Sequence, residues 1–372
     1  MKQGNSVKTV GFGIVTVVIA IAIGLIAVEW ALRTMAGSTQ SGESMDEGFI
    51  LFDSRLGWKL NPGWQGMHRH HDFEVHYQVS ELGFRGDAFE FSGASQRVFF
   101  LGDSFTFGLG VDEGETFPDY LNRSTASAHL DFFNAGVPGY APDQQLILLE
   151  DLLSYRPDTL VWVIYLGNDL LDIRYPFPLQ AGYGKPYYVL EGNRLRLENS
   201  PVPLKAKTPK YRAMSVSSAI LENFDLYPAW QDFLADSQIG TRINSIIGFD
   251  EDALQSHMKE RIKNDIALFL AMTDRARTMI TGQGGEMAFV LMPGSGYFRE
   301  NTVPGIYQKT AASSLLSELK ERGYRVANLG PELASSINSG RLLFHPNEGH
   351  LTSEGHKEVA EILAGSGLWD DL

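Results

Sequence analysis

Four short blocks hold the residues of this chain that could do chemistry. Gly102-Asp103-Ser104 follows the apolar run Val98-Phe99-Phe100-Leu101. Asn134-Ala135-Gly136-Val137-Pro138-Gly139 and Gly167-Asn168-Asp169 come next, and Glu348-Gly349-His350-Leu351-Thr352-Ser353-Glu354-Gly355-His356 lies near the carboxyl end. A small polar residue where a buried strand gives way to a loop stands where open α/β sheets carry their ligands. Ser104 therefore reads as a nucleophile. The blander alternative is a cap for the next helix, a common use of Ser and Asp. A neutral hydroxyl attacks poorly unless a neighbouring base takes its proton.

Such blocks need a scaffold that brings them to one edge. From Arg97 onward an α/β rhythm predicts strands over Arg97–Leu101, Asp131–Asn134, Thr159–Leu166, Met287–Met292 and Arg325–Leu329. Between them fall helical segments, roughly Phe117–Ser127, Asp143–Leu153, Leu254–Ile280 and Ala311–Arg322. The third repeats apolar residues at Leu254, Met258, Ile262, Ile266, Phe269 and Met279, a stripe that faces a core. Mostly apolar strands joined by helices imply a parallel sheet covered on both faces, a three-layer α/β/α sandwich. In that arrangement all four blocks fall at or beyond carboxyl ends of strands and can converge on one crevice.

In this order the blocks resemble the SGNH (GDSL-type) hydrolases, esterases and lipases on a flavodoxin-like fold. The resemblance runs discontinuously from about Arg97 to Ala360. It implies that Ser104 is the nucleophile and His350 the general base. It also implies an oxyanion hole of Gly139, Asn168 and the backbone N–H of Ser104, three donors for the tetrahedral intermediate. The commonest family pattern has an Asp three residues before the His, where this chain has Asn347. Glu348 lies two before it, an acid-x-His spacing shared with some relatives and with alginate-type sugar O-acetyltransferases. A carboxylate is needed to hold the imidazole tautomer and to stabilise the imidazolium. Glu348 is thus the expected third member; Asn347 could orient the ring but not neutralise it, and a Ser–His dyad is the remaining alternative.

Other polar residues are expected to be structural. No acid stands two or three residues before His345, and His356 falls on a terminal helix. Asp103 and Asp169 are expected to set loop and cap geometry. Leu56-Gly57-Trp58, Gly83-Phe84-Arg85-Gly86 and Gly355-His356-Lys357-Glu358-Val359-Ala360, together with a leading apolar span, are also similar to the layout of membrane-anchored bacterial SGNH proteins.

Composition limits the rest. In 372 residues, 31 Lys and Arg stand against 45 Asp and Glu, a formal charge of -14, which argues against nucleic acid as a partner. With no cysteine there is no disulfide, thiolate metal site or Cys nucleophile. His68, His70, His71 and His76 crowd one region without a convincing ligand spacing and read as a solvated strand edge, so no metal or organic cofactor is expected. The 19 uncharged residues Val10–Val28 are just long enough to span a bilayer as a transmembrane helix. Lys2 and Lys8 ahead of them place the N-terminus in the cytoplasm and the remainder in the periplasm or outside. A cleaved signal peptide is the rival, but no A-x-A site follows.

The expected organisation is residues 1–36 as N-terminus and anchor, 37–96 as linker and strand-containing extension, and 97–372 as the SGNH domain. In the extension, Asp53–Gly63 reads as loop and turn, and Phe73, Val75, Tyr77 and Val79 alternate as a half-buried strand. An insertion at about 172–252 holds a hairpin turning at Gly192-Asn193, then a loop with Lys205, Lys207, Lys210 and Arg212 that is either a lid or a solvated excursion. The functional expectation is a membrane-anchored serine esterase that removes acyl groups, acetyl above all, from saccharides or lipids. The alternatives are an O-acetyltransferase and a non-catalytic SGNH-fold binding protein. Neither substrate nor oligomeric state is written in these motifs.

Overall fold

A computed structural model describes residues 20, 23–24, 27–30, 43–87, 95–124, 129–179, 184–204, 251–300 and 302–369. The chain divides into two compact units, and the strands and helices of the fold belong to the larger, Gly42–Leu226 with Phe249–Leu372. Most of Val10–Val28 and all of Lys205–Arg212 lie outside the described residues. Among those described, no helix is long and apolar enough to cross a membrane.

The first part of the unit is antiparallel. β1 (Ser44–Met45), β4 (Gln65–His70) and β5 (Phe73–Gln78) form a three-stranded sheet, while β2 (Ile50–Asp53) and β3 (Gly57–Leu60) form a hairpin. The hairpin replaces the loop expected over Asp53–Gly63. Trp58 and Leu60 alternate inward from Lys59, and Gly57 turns the chain at φ +89°. His68 is not at a solvated edge. It sits on the central strand of its sheet, 1% exposed, with Nδ1 2.9 Å from the Tyr77 hydroxyl.

The second part is a five-stranded, wholly parallel sheet. β6 (Gln96–Gly102), β7 (Leu130–Gly136), β8 (Thr159–Tyr165), β11 (Glu286–Met292) and β12 (Arg325–Asn328) lie in the order β12-β11-β8-β6-β7. Numbered within the sheet this is 5-4-3-1-2, the flavodoxin-type order. The chain moves from β6 outward to β7 and then crosses back to β8, so the switch point lies between β6 and β8. The predicted strands match these five to within two residues at either end. β9 (Tyr187–Glu191) and β10 (Arg194–Glu198) pair as the expected hairpin.

Alternation along the strands supplies two buried faces. Phe100 packs against Phe117, Phe132 and Trp369 on one side. On the other, Trp162 and Phe289 meet Phe269 of helix Lys263–Thr281. Val98, Phe99, Phe100 and Leu101 are fully buried. At roughly 1.5–3 kcal/mol of transfer free energy for each such side chain, β6 is a firm base for the turn at its carboxyl end.

The long helix expected over Leu254–Ile280 is two, Glu251–Arg261 and Lys263–Thr281. The interruption is slight: at Ile262 ψ opens to -5°, with i to i-4 bonds intact on both sides. The helix expected from Ala311 begins at Val303, where the Thr302 side chain accepts from Gly305 N and Pro304 occupies the first turn. Pro304-Gly305 looks like a break in sequence, yet proline is well suited to a first turn.

Candidate active site

Ser104 opens a one-turn helix, Ser104–Phe107, directly beyond β6. Asp103 caps it, its Oδ1 accepting from Phe105 N at 2.9 Å. The second block is fastened to that turn: Asn134 Nδ2 donates to Thr106 O at 2.8 Å, and a Cβ on Gly136 would stand 2.2 Å from Phe107 N. The geometry thus requires glycine at 136.

The fourth block returns to the same place. Phe344 and Leu351 bridge antiparallel at the base of a tight loop, closed by His345 N to His350 O (2.8 Å) and Gly349 N to His345 O (3.0 Å). His350 Nε2 lies 2.7 Å from Ser104 Oγ, and its Nδ1 lies 2.5 Å from Glu348 Oε1. A carboxylate can only accept, so Nδ1 carries the proton and Nε2 is left to accept from the serine hydroxyl. Glu348 Oε2 also accepts from the His350 main-chain N–H at 2.9 Å. Glu348 and His350 side chains are 13% and 17% exposed, and Phe105 packs its ring 4.5 Å from the imidazole.

Burial alone would depress the His350 pKa. The charge and hydrogen bond of Glu348, with Asp103 behind them, outweigh it and hold the pKa above the ordinary 6.5. The Glu348 carboxyl is opposed by burial too, but His350 keeps it below the usual range. Burial pushes the Asp103 carboxyl up to about 6.

Asn347 does not approach the ring. Its Nδ2 donates to Asp72 Oδ1 at 2.6 Å and to His71 Nε2 at 2.9 Å. His345 Nε2 lies 3.0 Å from Gly110 O, which makes it the donor to a carbonyl; it is not poised as a base. His356 is fully enclosed, its Nδ1 accepting from Phe117 N at 3.2 Å.

Gly139 and Asn168 stand on loops beyond β7 and β8, the two strands that flank β6. Val137-Pro138-Gly139-Tyr140 is a turn closed by Tyr140 N to Val137 O at 3.1 Å. Pro at its second position and φ +78° at Gly139 are the type II pattern. Trp58 backs this turn: its Nε1 donates to Pro138 O at 3.1 Å, and Tyr140 Oη donates to Trp58 O at 2.5 Å. Asn168 is held by Asp172, to whose Oδ2 its Nδ2 donates at 2.6 Å. Among the described residues its second amide hydrogen meets no other acceptor. Asp169 Oδ2 accepts from Tyr165 N at 2.9 Å, a local loop contact.

Trp58, Asp72 and Asp172 are absent from the sequence-derived site. Trp58 lay in a stretch read as loop, and a lone Asp in a His-His-Asp turn carries no local signal of a partner 275 residues away.

Among the described residues no group of three or more His, Asp or Glu is arranged to hold a metal ion. No protein-family model and no curated protein sequence matches the chain. Solved structures do. A member of the lipolytic protein G-D-S-L family from Veillonella parvula is 11% identical, over 73% of this chain and 97% of that one, with a TM-score of 0.39. The acetyl xylan esterase AlAXEase is 12% identical over 72% and 98%, TM-score 0.38. A catalytic mutant of Axe2, an acetylxylan esterase from Geobacillus stearothermophilus, is 10% identical over 74% and 94%, TM-score 0.37. By its own strand order this chain is a flavodoxin-like α/β protein, with a Ser–His–Glu array beside the switch point of its sheet.

Proposed function

We propose that the chain is a serine esterase of the SGNH type, with Ser104 as nucleophile, His350 as general base and Glu348 as the acid that orients it. The observation that carries this reading is the continuous line of hydrogen bonds from Ser104 Oγ through His350 to Glu348, 2.7 and 2.5 Å long. Ser104 Oγ attacks the ester carbonyl as its proton passes to His350 Nε2. Glu348 stabilises the imidazolium, which then gives the proton to the departing alcohol. The oxyanion is met by the N–H groups of Ser104 and Gly139 and the free amide hydrogen of Asn168. Water, deprotonated by the same imidazole, releases the acyl group as the acid and regenerates Ser104.

In this reading the substrate is an acyl ester, acetyl above all, of a saccharide or lipid, the class suggested by the family that the four blocks resemble and not written in the motifs themselves. The apolar run Val10–Val28 behind Lys2 and Lys8 anchors the chain in a membrane, with the catalytic part on the periplasmic or outer side.

The test is p-nitrophenyl acetate turnover by the purified chain and by Ser104→Ala. Turnover that falls by about 10⁴-fold or more in the variant supports the esterase. Equal turnover by both rejects Ser104 as nucleophile. A folded wild type that leaves p-nitrophenyl acetate intact in water, but releases p-nitrophenol and forms an acetyl sugar once a sugar acceptor is added, would shift the reading to a transferase.

A further inference from the structure

The turn between β4 and β5 belongs to the N-terminal extension, yet it ends on the catalytic loop. Its Asp72, with a side chain 5% exposed, accepts three hydrogen bonds from two consecutive residues of that loop. Oδ2 takes the main-chain N–H groups of Asn347 (2.8 Å) and Glu348 (2.9 Å), and Oδ1 takes Asn347 Nδ2 (2.6 Å). Neighbouring contacts hold the same junction: the Phe73 and His345 rings lie 5.0 Å apart, and His345 donates to Gly110 O.

Glu348 reaches the imidazole from a short side chain whose main-chain nitrogen is the atom Asp72 holds. We propose that Asp72 is a positioning residue for the Glu348–His350 pair, its carboxylate fixing the main chain from which the acid meets the ring. The proposal rests on the reading of Ser104, His350 and Glu348 as one acyl-transfer array. It makes the antiparallel extension part of the active site: the loop between Phe344 and Leu351 supplies the acid and the base, and the extension fixes the main chain from which the one reaches the other.

His350 faces Glu348, Asp103 and His345, with Glu43 at longer range, and Glu348 also faces His345. Asp72 faces Asn347 and His71, whose Nε2 is 3.5 Å from Oδ1. An Asp72→Asn variant loses the charge but can still accept both main-chain N–H groups, with the Asn347 amide turned over to accept from it. Asp72→Ala loses all three bonds. Position and charge are therefore separable.

The experiment uses the whole 372-residue chain and two readouts: kcat and KM on p-nitrophenyl acetate, and the His350 pKa followed by NMR of histidine-labelled protein, assigned with His350→Gln. In Asp72→Ala, kcat should fall about 10- to 100-fold, the scale of a misplacement of about 1 Å among reacting groups, with KM within about twofold. The His350 pKa should drop toward its value in Glu348→Ala. Asp72→Asn should stay within about threefold of wild type, and Asp72→Ala should add less than about twofold in a Glu348→Ala background.

A folded Asp72→Ala protein with unchanged kcat and His350 pKa overturns the proposal. So do losses that multiply in the double variant, or an Asp72→Asn protein as impaired as Asp72→Ala. Should Asp72→Ala fail to fold, Asp72→Asn decides alone: near-wild-type kcat and His350 pKa uphold the proposal, and loss of both overturns it. An inert wild type rejects the esterase reading, whereas the NMR titration still decides the role of Asp72.

Discussion

Glu348 grips His350 twice, through the ring at Nδ1 and through the main-chain N–H, with one carboxylate oxygen for each. The acid-x-His spacing makes this double contact geometrically natural, since an acid two residues away can reach both groups from one rotamer.

Glu348→Gln keeps the shape and loses the charge, so the imidazolium formed during attack is no longer neutralised. Its kcat on p-nitrophenyl acetate should fall about 10⁴-fold, as for the equivalent change in other triads. Asn347→Ala touches only Asp72 and His71 contacts and should cost less than about 30-fold, its kcat remaining far above that of Glu348→Gln. Equal losses would show that the ring is not held by the glutamate.

Turnover needs the neutral imidazole. Because Glu348 and Asp103 hold the His350 pKa above 6.5 against the effect of burial, kcat/KM should rise with pH through an inflection above 6.5. In Glu348→Gln the main opposing charge is gone and the inflection should move to lower pH. An acidic limb at the same pH in both proteins would contradict this assignment.

Removing an oxyanion donor should lower kcat by about 10²–10³ with little change in KM. Asn168→Ala tests the side-chain donor. Gly139→Ala tests the main-chain one by strain: at φ +78° a side chain is disfavoured by about 1–2 kcal/mol, and its Cβ would press within 3.3 Å of the Trp58 ring. The check is steady-state kinetics beside a thermal melt, which separates lost chemistry from lost fold.

His356 offers a stability test away from the chemistry. Burial depresses its pKa to about 3, so between pH 6.5 and 3 the unfolded chain binds a proton that the folded one does not. Stability contributed this way is present above pH 6.5 and is lost on acidification, by up to about 1.4 kcal/mol per pH unit. Buried Asp172 and Asp103, raised to about 7 and about 6, act in the opposite sense but equally in wild type and variant. His356→Asn, which can still accept from Phe117 N, should therefore melt with a shallower fall between pH 6.5 and 5 than wild type. Identical slopes would mean that His356 is protonated in the fold.

Much of the parallel sheet was legible because its strands are buried on both faces. Val98–Leu101 and Leu160–Ile164 read as unbroken apolar runs bounded by glycine, proline or charge. The antiparallel part was legible in β5, where Phe73, Val75 and Tyr77 alternate, but not in β3: Trp58 and Leu60 are two inward residues in a four-residue strand beside Asn61-Pro62-Gly63, and a turn signal dominates so short a pattern. The same asymmetry holds at the site. Ser104, Gly139, Asn168 and His350 stand beside glycines that mark strand exits and tight loops, whereas Asp72 and Trp58 act through partners that only the tertiary fold selects.

The bond from Ser104 to His350 closes a separation of 246 positions. During synthesis at about 5–20 residues per second, the nucleophile emerges roughly 12–50 s before its base. Joining segments so far apart carries a loop-closure cost that local structure does not, so this contact belongs to the late events of folding. In the proposed reading, a nascent chain therefore carries an inert serine until the segment that holds His350 has emerged.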